Sequence, residues 1–93
     1  MLDEVKDKLN VTWDDEDSKI QKIIDNGKKR IEELTGTELD FTTAGLQKDL
    51  LLNYCRYDYN NANEFFEENF EKEINRLQLM EASELFASDS NEE

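Results

Sequence analysis

The stretch from Leu46 to Tyr59 limits the possible folds most strongly, because as a helix it is apolar on two opposite sides. At about 100° per residue, one side carries Leu46, Leu50, Tyr54 and Tyr57. The opposite side carries Ala44, Leu51, Cys55 and Tyr59. A surface helix normally has a single apolar stripe, so a helix with two is covered from both directions. The pattern predicts a central helix from Leu46 to Asn60, whose solvent-facing line contains Asp49, Asn53 and Arg56.

Two helices are predicted ahead of the central one. Met1 to Asn10 has apolar residues at helical spacing, which indicates a short helix. The next helix has a clean apolar stripe that Gly36 follows as a left-handed cap: Ile20, Ile23, Ile24, Gly27, Ile31 and Leu34. Gly27 lies within that stripe, where the absence of a side chain lets another helix approach closely. Thr12 or Asp14 is expected to cap this helix, and Trp13 is expected to fold back on it.

The second half of the chain continues the helical pattern. Phe41 is expected at the edge of the core, and Thr42 or Thr43 is expected to cap the central helix. The polar cluster Asn60 to Asn63 allows a bend. The last helix then has its apolar stripe at Phe66, Phe70, Ile74 and Leu77, with Phe65 and Leu79 well off it.

These elements predict an all-α fold, a small orthogonal or antiparallel bundle of about four helices. We expect a single helical domain over residues 1–87 and an acidic, disordered C-terminal tail over 88–93, where the sequence is small, polar and acidic.

Charge restricts the possible functions. Eleven basic residues against 24 acidic ones give a net charge of −13, which argues against a protein that binds the phosphate backbone of nucleic acid. Residues 1–36 carry seven basic and ten acidic groups, and residues 37–93 carry four and fourteen, so the halves differ electrostatically. No apolar run approaches the length of a membrane span, and Met1 to Asn10 is too charged for a signal peptide. The single cysteine, Cys55, cannot form an internal disulfide, which fits a reducing compartment.

The residues predict no enzyme, no cofactor and no metal site. The chain has no histidine, which removes the usual general base and the commonest metal ligand. Cys55 is interpreted as a small buried hydrophobe, and the run Asp14 to Asp17 lacks the glycine-centred alternation of a calcium loop. The closely spaced acidic residues of the last helix are interpreted as solvent-exposed. The three glycines form no phosphate-binding loop.

The order of these motifs resembles the tailed-phage head-tail connector family. The resemblance begins with an acidic start, an amphipathic helix with a small residue inside it and a closing Thr-Gly: Asp17, Ile20, Ile23, Ile24, Gly27, Ile31, Glu32, Leu34, Thr35 and Gly36. It continues in a leucine-rich helix with a Tyr-and-Asn end: Leu46, Leu50, Leu51, Tyr57, Tyr59 and Asn60. It covers about residues 11 to 80. Compared with that family, this chain is short between its last two helices and ends in an acidic tail.

The resemblance implies a structural virion-assembly protein with no catalysis and no cofactor. Such an adaptor forms a homo-oligomeric ring beneath the phage portal protein, extends the DNA channel and offers a docking surface to a tail or head-completion protein. DNA would pass through without being specifically bound, and a surplus of acids agrees with that. The location would be the virion, at the head-tail junction, after assembly in the cytoplasm of the bacterial host.

Two other interpretations stay open on the sequence alone. An acidic inhibitor that imitates DNA and binds a DNA-binding protein would also be strongly negative, with its carboxylates spaced like phosphates on one exposed surface. A small folding or scaffold subunit without a defined partner is the third.

A ring requires two different, complementary surfaces on each subunit. The first predicted surface is the basic outer face of the second helix, with Lys19, Lys22, Lys29 and Arg30. The second is on the last helix, with the acids Glu64, Glu68 and Glu71 and the apolar residues Phe65 and Leu79. Charges would orient neighbouring subunits, and apolar contacts would supply most of the affinity.

Overall fold

A computed structural model of the protein describes the backbone of residues 1–91 and the side chains of residues 1–83. Within this range the chain forms the helices α1 (Leu2–Leu9), α2 (Asp17–Thr35), α3 (Leu46–Tyr59), α4 (Phe66–Asn69) and α5 (Glu71–Asn91). A 3-10 turn, Asn63–Phe65, precedes α4. Residues 1–91 contain no strand, so the predicted all-α class is confirmed.

The predicted acidic tail over 88–93 lies outside the residues whose side chains are described, and residues 92 and 93 lie outside the description altogether. The tail and the domain boundary at residue 87 therefore stay predictions.

Helix α3 is the centre of the bundle, as its two apolar sides predict. It contacts α1, α2, α4, α5 and the 3-10 turn. Leu50 and Tyr54 from one side are buried, and Leu51 and Cys55 from the other side are buried as well. Ala44 is the exception, since it is exposed and lies ahead of the helix. The helix ends at Tyr59, one residue before the predicted end, with Asn60 as its C-cap.

Helix α2 packs closely on α3 because Gly27 leaves room for it. A Cβ atom added to Gly27 would lie 2.7 Å from Tyr54 Cδ1 and 2.8 Å from Leu51 Cδ1. Gly36 ends the helix in the left-handed conformation (φ 73°), and its N–H donates to the carbonyl of Glu32. The predicted close approach and the predicted glycine cap are both confirmed.

An aromatic cluster joins α3 to the C-terminal part of the chain. Phe66 is fully buried, and its ring meets Tyr54 edge-on with centroids 5.3 Å apart. Phe70 stacks on Phe66 at 5.3 Å and meets Tyr57 edge-on at 5.5 Å. The bend that precedes this cluster is made by Asn61, which has a φ of 59°.

The last helix differs from the prediction, because the chain bends at Phe70 rather than continuing from Phe66. Phe70 leaves helical geometry (φ −112°, ψ 20°), so α4 ends before it and α5 begins at Glu71. This bend lets the Phe70 ring contact both Tyr57 and Phe66. Ile74 and Leu77 then continue the buried stripe as predicted.

The predicted helix caps are wrong at two positions. Neither Thr12 nor Asp14 caps α2, whose N-cap is Glu16 without a side-chain hydrogen bond. At α3 the N-cap is Gly45, because the hydroxyl groups of Thr42 and Thr43 both donate to the carboxylate of Asp40 instead. Asp14 instead pairs with the ammonium group of Lys6, as Thr42 and Thr43 pair with the carboxylate of Asp40.

Helix α1 is attached to the bundle by apolar contacts and by two lysines. Val5 is fully buried, and the Lys6 ammonium lies 2.8 Å from carboxylate oxygens of both Asp14 and Asp17. Hydrogen bonds to these two carboxylates hold the pKa of Lys6 above its usual value. From α3, Lys48 Nζ lies 2.5 Å from the carboxylate of Glu4. The acidic run at the start of α2 therefore holds α1 in place.

Candidate interaction surfaces

The outer face of α2 carries two exposed lysines. Lys22 and Lys29 are seven residues apart, two helical turns, so they lie on the same face. Neither forms an ion pair with another residue whose side chain is described. Both are therefore available to a partner, as the sequence interpretation requires.

The other two cations of the predicted basic face have partners within the chain. Arg30 Nη2 forms an ion pair with Glu67 Oε1 in α4, and its Nη1 lies 3.6 Å from Glu33 Oε2. Lys19 Nζ lies 3.6 Å from Glu16 Oε2 and 5.2 Å from the centroid of the Tyr59 ring. Lys19 and Arg30 thus flank the basic face and connect it to other elements of the same molecule.

Glu67, the partner of Arg30, was not among the predicted site residues. It is 37 residues away in the sequence and stands in a run of similar acids, so no sequence signal distinguishes it. The predicted acids Glu64, Glu68 and Glu71 are exposed, and none has an ion-pair partner within the part of the chain whose side chains are described. Glu71 opens α5, where the helix dipole favours a negative charge.

Four large hydrophobic side chains are exposed among the described residues. Phe65 is 49% exposed and Leu79 is 70% exposed, so both lie outside the core, as their positions off the stripe predict. Met80 at 47% and Trp13 at 45% were not predicted to be exposed. Contiguous exposed apolar surface often marks a contact between proteins, and Leu79 and Met80 are adjacent.

Trp13 turns towards the start of α2, the helix on which it was expected to fold back, but it stays 45% exposed. Its indole Nε1 donates a hydrogen bond to Glu16 Oε1 at 2.7 Å, and the Tyr59 hydroxyl donates to the same oxygen at 2.8 Å. These two hydrogen bonds lower the pKa of the Glu16 carboxyl below its usual value, and the bond to Glu16 raises the pKa of Tyr59. The ionised Glu16 therefore fixes the orientation of an exposed tryptophan.

Two open concavities lie on the described surface, and neither carries a catalytic arrangement. One, of about 210 Å³, is lined by Arg56, Tyr57, Asn60 and Ala62. Another, of about 370 Å³, is lined by Lys29, Glu32, Glu33, Gly36, Thr37 and Glu38. Neither pairs a nucleophile with a base. Cys55 is buried, and burial raises the pKa of its thiol to about 12, which keeps it protonated and unreactive.

The described residues contain no group of three potential metal-ligating side chains close enough to share an ion. No helix among them is long and apolar enough to cross a membrane.

Comparison with known proteins identifies the family. The family model described as phage gp6-like head-tail connector protein matches residues 1–92, nearly the entire sequence. The chain belongs to this family. No curated protein and no solved structure gives a significant match.

Family membership confirms the resemblance carried by α2 and α3 and extends it to α1 and α5. A phage gp6-like head-tail connector is a structural protein of the virion, and the family is not a family of enzymes. Membership implies a location in the virion and contact with portal and tail proteins. The described surface carries charged faces and exposed apolar residues, which suit a protein that contacts other proteins.

Proposed function

We propose that this head-tail connector assembles in the cytoplasm of the bacterial host, as a homo-oligomeric ring beneath the portal protein after DNA packaging. The ring extends the DNA channel and presents a docking surface to a tail or head-completion protein. The observation that carries this proposal is the family match over residues 1–92.

The charge of the molecule supports a channel through which DNA passes. The net charge is −13, and acids such as Glu64, Glu68 and Glu71 are exposed. A wall with a surplus of carboxylates repels the phosphate backbone, so DNA slides past it without being held. No specific DNA contact is required, and neither a cofactor nor a metal is needed.

The contact between ring subunits is proposed to include the predicted charge pair. The exposed lysines Lys22 and Lys29 of one subunit would face the exposed carboxylates Glu68 and Glu71 of the next. Lys19, Arg30, Phe65 and Leu79 would lie at or beside this contact. Since exposed ion pairs contribute only about 0 to 1 kcal/mol each, they orient the subunits, and apolar side chains supply most of the affinity.

The DNA-mimic interpretation has less support. It requires one continuous acidic surface, and exposed cations such as Lys22, Lys29 and Arg76 interrupt the acids. The family match over residues 1–92 also favours the connector interpretation over the DNA mimic.

The test is to mix the purified chain with the portal protein of the same phage and to examine the complexes by negative-stain electron microscopy. We expect additional ring density on the portal. The variant with both Lys22→Glu and Lys29→Glu should keep its circular dichroism spectrum and lose most of that density. Mixing it with a second variant that carries Glu68→Lys and Glu71→Lys should partly restore the density.

A matched control separates the contact from net charge. Lys8→Glu changes an exposed lysine on α1 and should leave ring density at the parental level, whereas Lys29→Glu alone should reduce it. Portal particles without added density for the parental chain would refute the ring. Normal density for the lysine double variant would refute this charge pair and leave the ring standing.

A further inference from the structure

Trp13 is the centre of a small acidic and aromatic surface at the turn between α1 and α2. It is 45% exposed, and Asp14 and Asp15 beside it are exposed too. The hydrogen bond to Glu16 holds the indole in one orientation, so little conformational entropy is lost when a partner covers it. Tryptophan is also the residue type most enriched at energetically important contacts. We refer to Trp13, Asp14 and Asp15 as the Trp13 patch.

A second surface on α5 has matching properties and the opposite charge. Leu79 is 70% exposed and Met80 is 47% exposed. Lys72 and Arg76 precede them by helical spacings, so all four side chains are neighbours on the outer face of α5. Neither cation has an ion-pair partner among residues 1–83. We refer to Lys72, Arg76, Leu79 and Met80 as the α5 patch.

The two patches lie at opposite ends of α2. The side chain of Gln78, next to Leu79, donates a hydrogen bond at 2.8 Å to the carbonyl of Leu34, near the C-terminal end of α2. Trp13 precedes the N-terminal end of the same 19-residue helix. At 1.5 Å per residue the helix is roughly 28 Å long, so one molecule cannot bring its own patches together. A second copy can.

We propose that the Trp13 patch of one copy docks on the α5 patch of the next copy. The proposal rests on the proposed ring and identifies the apolar part of its subunit contact. The indole would cover Leu79 and the Met80 thioether, a favourable sulfur–aromatic combination, and Asp15 would face Arg76. Because the two patches differ, the contact is heterologous and repeats head to tail, which is the arrangement a ring needs.

Each patch is much smaller than the roughly 800 Å² per partner of a standard stable interface. The contact is therefore weak between two free molecules. It becomes strong when ring closure or a portal template holds several copies together, since each further contact is then intramolecular.

The test uses disulfide trapping of the chain alone at about millimolar concentration. One variant carries Thr12→Cys, beside Trp13, and a second, of different tagged mass, carries Ser83→Cys, one turn beyond Leu79; both positions are exposed and outside the proposed contact. We expect the mixed Thr12–Ser83 disulfide in several-fold excess over either homodimer. A control mixture of Thr12→Cys with Asp49→Cys, on the solvent-facing line of α3, should trap several-fold less.

Substitutions within the patches test the chemistry of the contact. Trp13→Ala should reduce the mixed product about tenfold. Arg76→Glu should reduce it about fivefold, and Asp15→Arg on the partner copy should restore it. Each variant should have the same melting temperature as the parent. Equal yields of all disulfides, or a mixed yield that Trp13→Ala leaves unchanged, would overturn the proposal.

The result is independent of portal binding. Rings on the portal without the Thr12–Ser83 disulfide would refute this contact and leave the proposed function standing. Formation of the disulfide without portal binding would refute the proposed function and leave this contact standing. In assembled junctions, a Ser83→Cys chain that cross-links to the portal protein and not to a Thr12→Cys copy of this chain would also refute it, because the α5 patch would then be a portal surface.

Discussion

Replacing Gly27 with alanine should destabilise the protein, although alanine is the better helix former. In a helix interior the exchange gains about 1 kcal/mol of propensity. The added Cβ, however, would lie 2.7 Å from Tyr54 Cδ1, 2.8 Å from Leu51 Cδ1 and 3.1 Å from Tyr54 Cε1. Real Cβ atoms almost never approach so closely, so α2 and α3 must separate or side chains must move.

The Tyr54 ring cannot move cheaply. It is buried, it meets Phe66 edge-on, and its hydroxyl accepts a hydrogen bond from Asn63 at 3.1 Å. Overpacking of this kind costs about 1 to 3 kcal/mol, and two contacts below 3.0 Å favour the upper part of that range. After the propensity gain, the net loss is about 1 to 2 kcal/mol, which lowers the melting temperature by about 4 to 16 °C in a domain of this size.

Urea unfolding followed by circular dichroism measures this loss, and a double-mutant cycle identifies its cause. In a Leu51→Ala background one of the two closest contacts is gone, so Gly27→Ala should cost less by about 0.5 kcal/mol or more. Gly36→Ala is the control: it is strained by a φ of 73°, but no atom lies within 4 Å of its added Cβ, so its cost should not depend on Leu51. A Gly27→Ala protein as stable as the parent would refute the close approach.

The other predictions concern the core, the cysteine and the response to acid. Leu50→Ala and Ile24→Ala should each cost about 2 to 5 kcal/mol in thermal melts, whereas Leu79→Ala, at a side chain 70% exposed, should change stability by about 0.5 kcal/mol or less. Cys55 should not react with a thiol reagent at pH 8 until denaturant is added, since burial raises its pKa to about 12; rapid labelling of the native protein would contradict this. Hydrogen bonds from Thr42 and Thr43 lower the pKa of Asp40 to about 2, so its contribution is present above about pH 4 and is lost as the pH falls towards 2. Melting curves of Asp40→Asn should therefore converge with those of the parent over that interval, and a constant difference would contradict the assignment.

Helices α2 and α3 were predictable because their signals are periodic. The stripe from Ile20 to Leu34 gave α2 and its closing Gly36, and the two apolar sides of Leu46 to Tyr59 gave the central position of α3. Both signals come from burial, which acts on many residues at once. A single poor helix former such as Gly27 leaves the apolar stripe recognisable, and it also marks the place where α3 approaches closely.

The caps and the bend at Phe70 were not predictable, because each depends on a competing local contact. Thr42 and Thr43 are good capping residues, yet Asp40 lies close enough to take both hydroxyl groups. At Phe70 neither proline nor glycine marks a break. The bend follows from packing against Tyr57 and Phe66, which only the assembled bundle brings together.

Candidate surface residues could be selected from the sequence, but their partners could not. Leu79 and Phe65 were found because their positions disagree with the apolar stripe. Arg30 was assigned to an interface, although Glu67 holds it within the chain across 37 residues. Trp13 was expected to fold back on α2, but the sequence does not show that Glu16 fixes the indole at the surface.

This division among the cations of α2 decides which variants can distinguish assembly from folding. Arg30→Glu would place two carboxylates together at Glu67 and weaken the contact between α2 and α4, so a loss of rings could follow from a damaged monomer. Lys22 and Lys29 have no such partner among the described side chains, so their reversal leaves intramolecular contacts intact. For these two lysines, a loss of assembly at an unchanged melting temperature therefore reports a contact between molecules. The same condition holds for Arg76, and it makes charge reversal there a valid probe of the α5 patch.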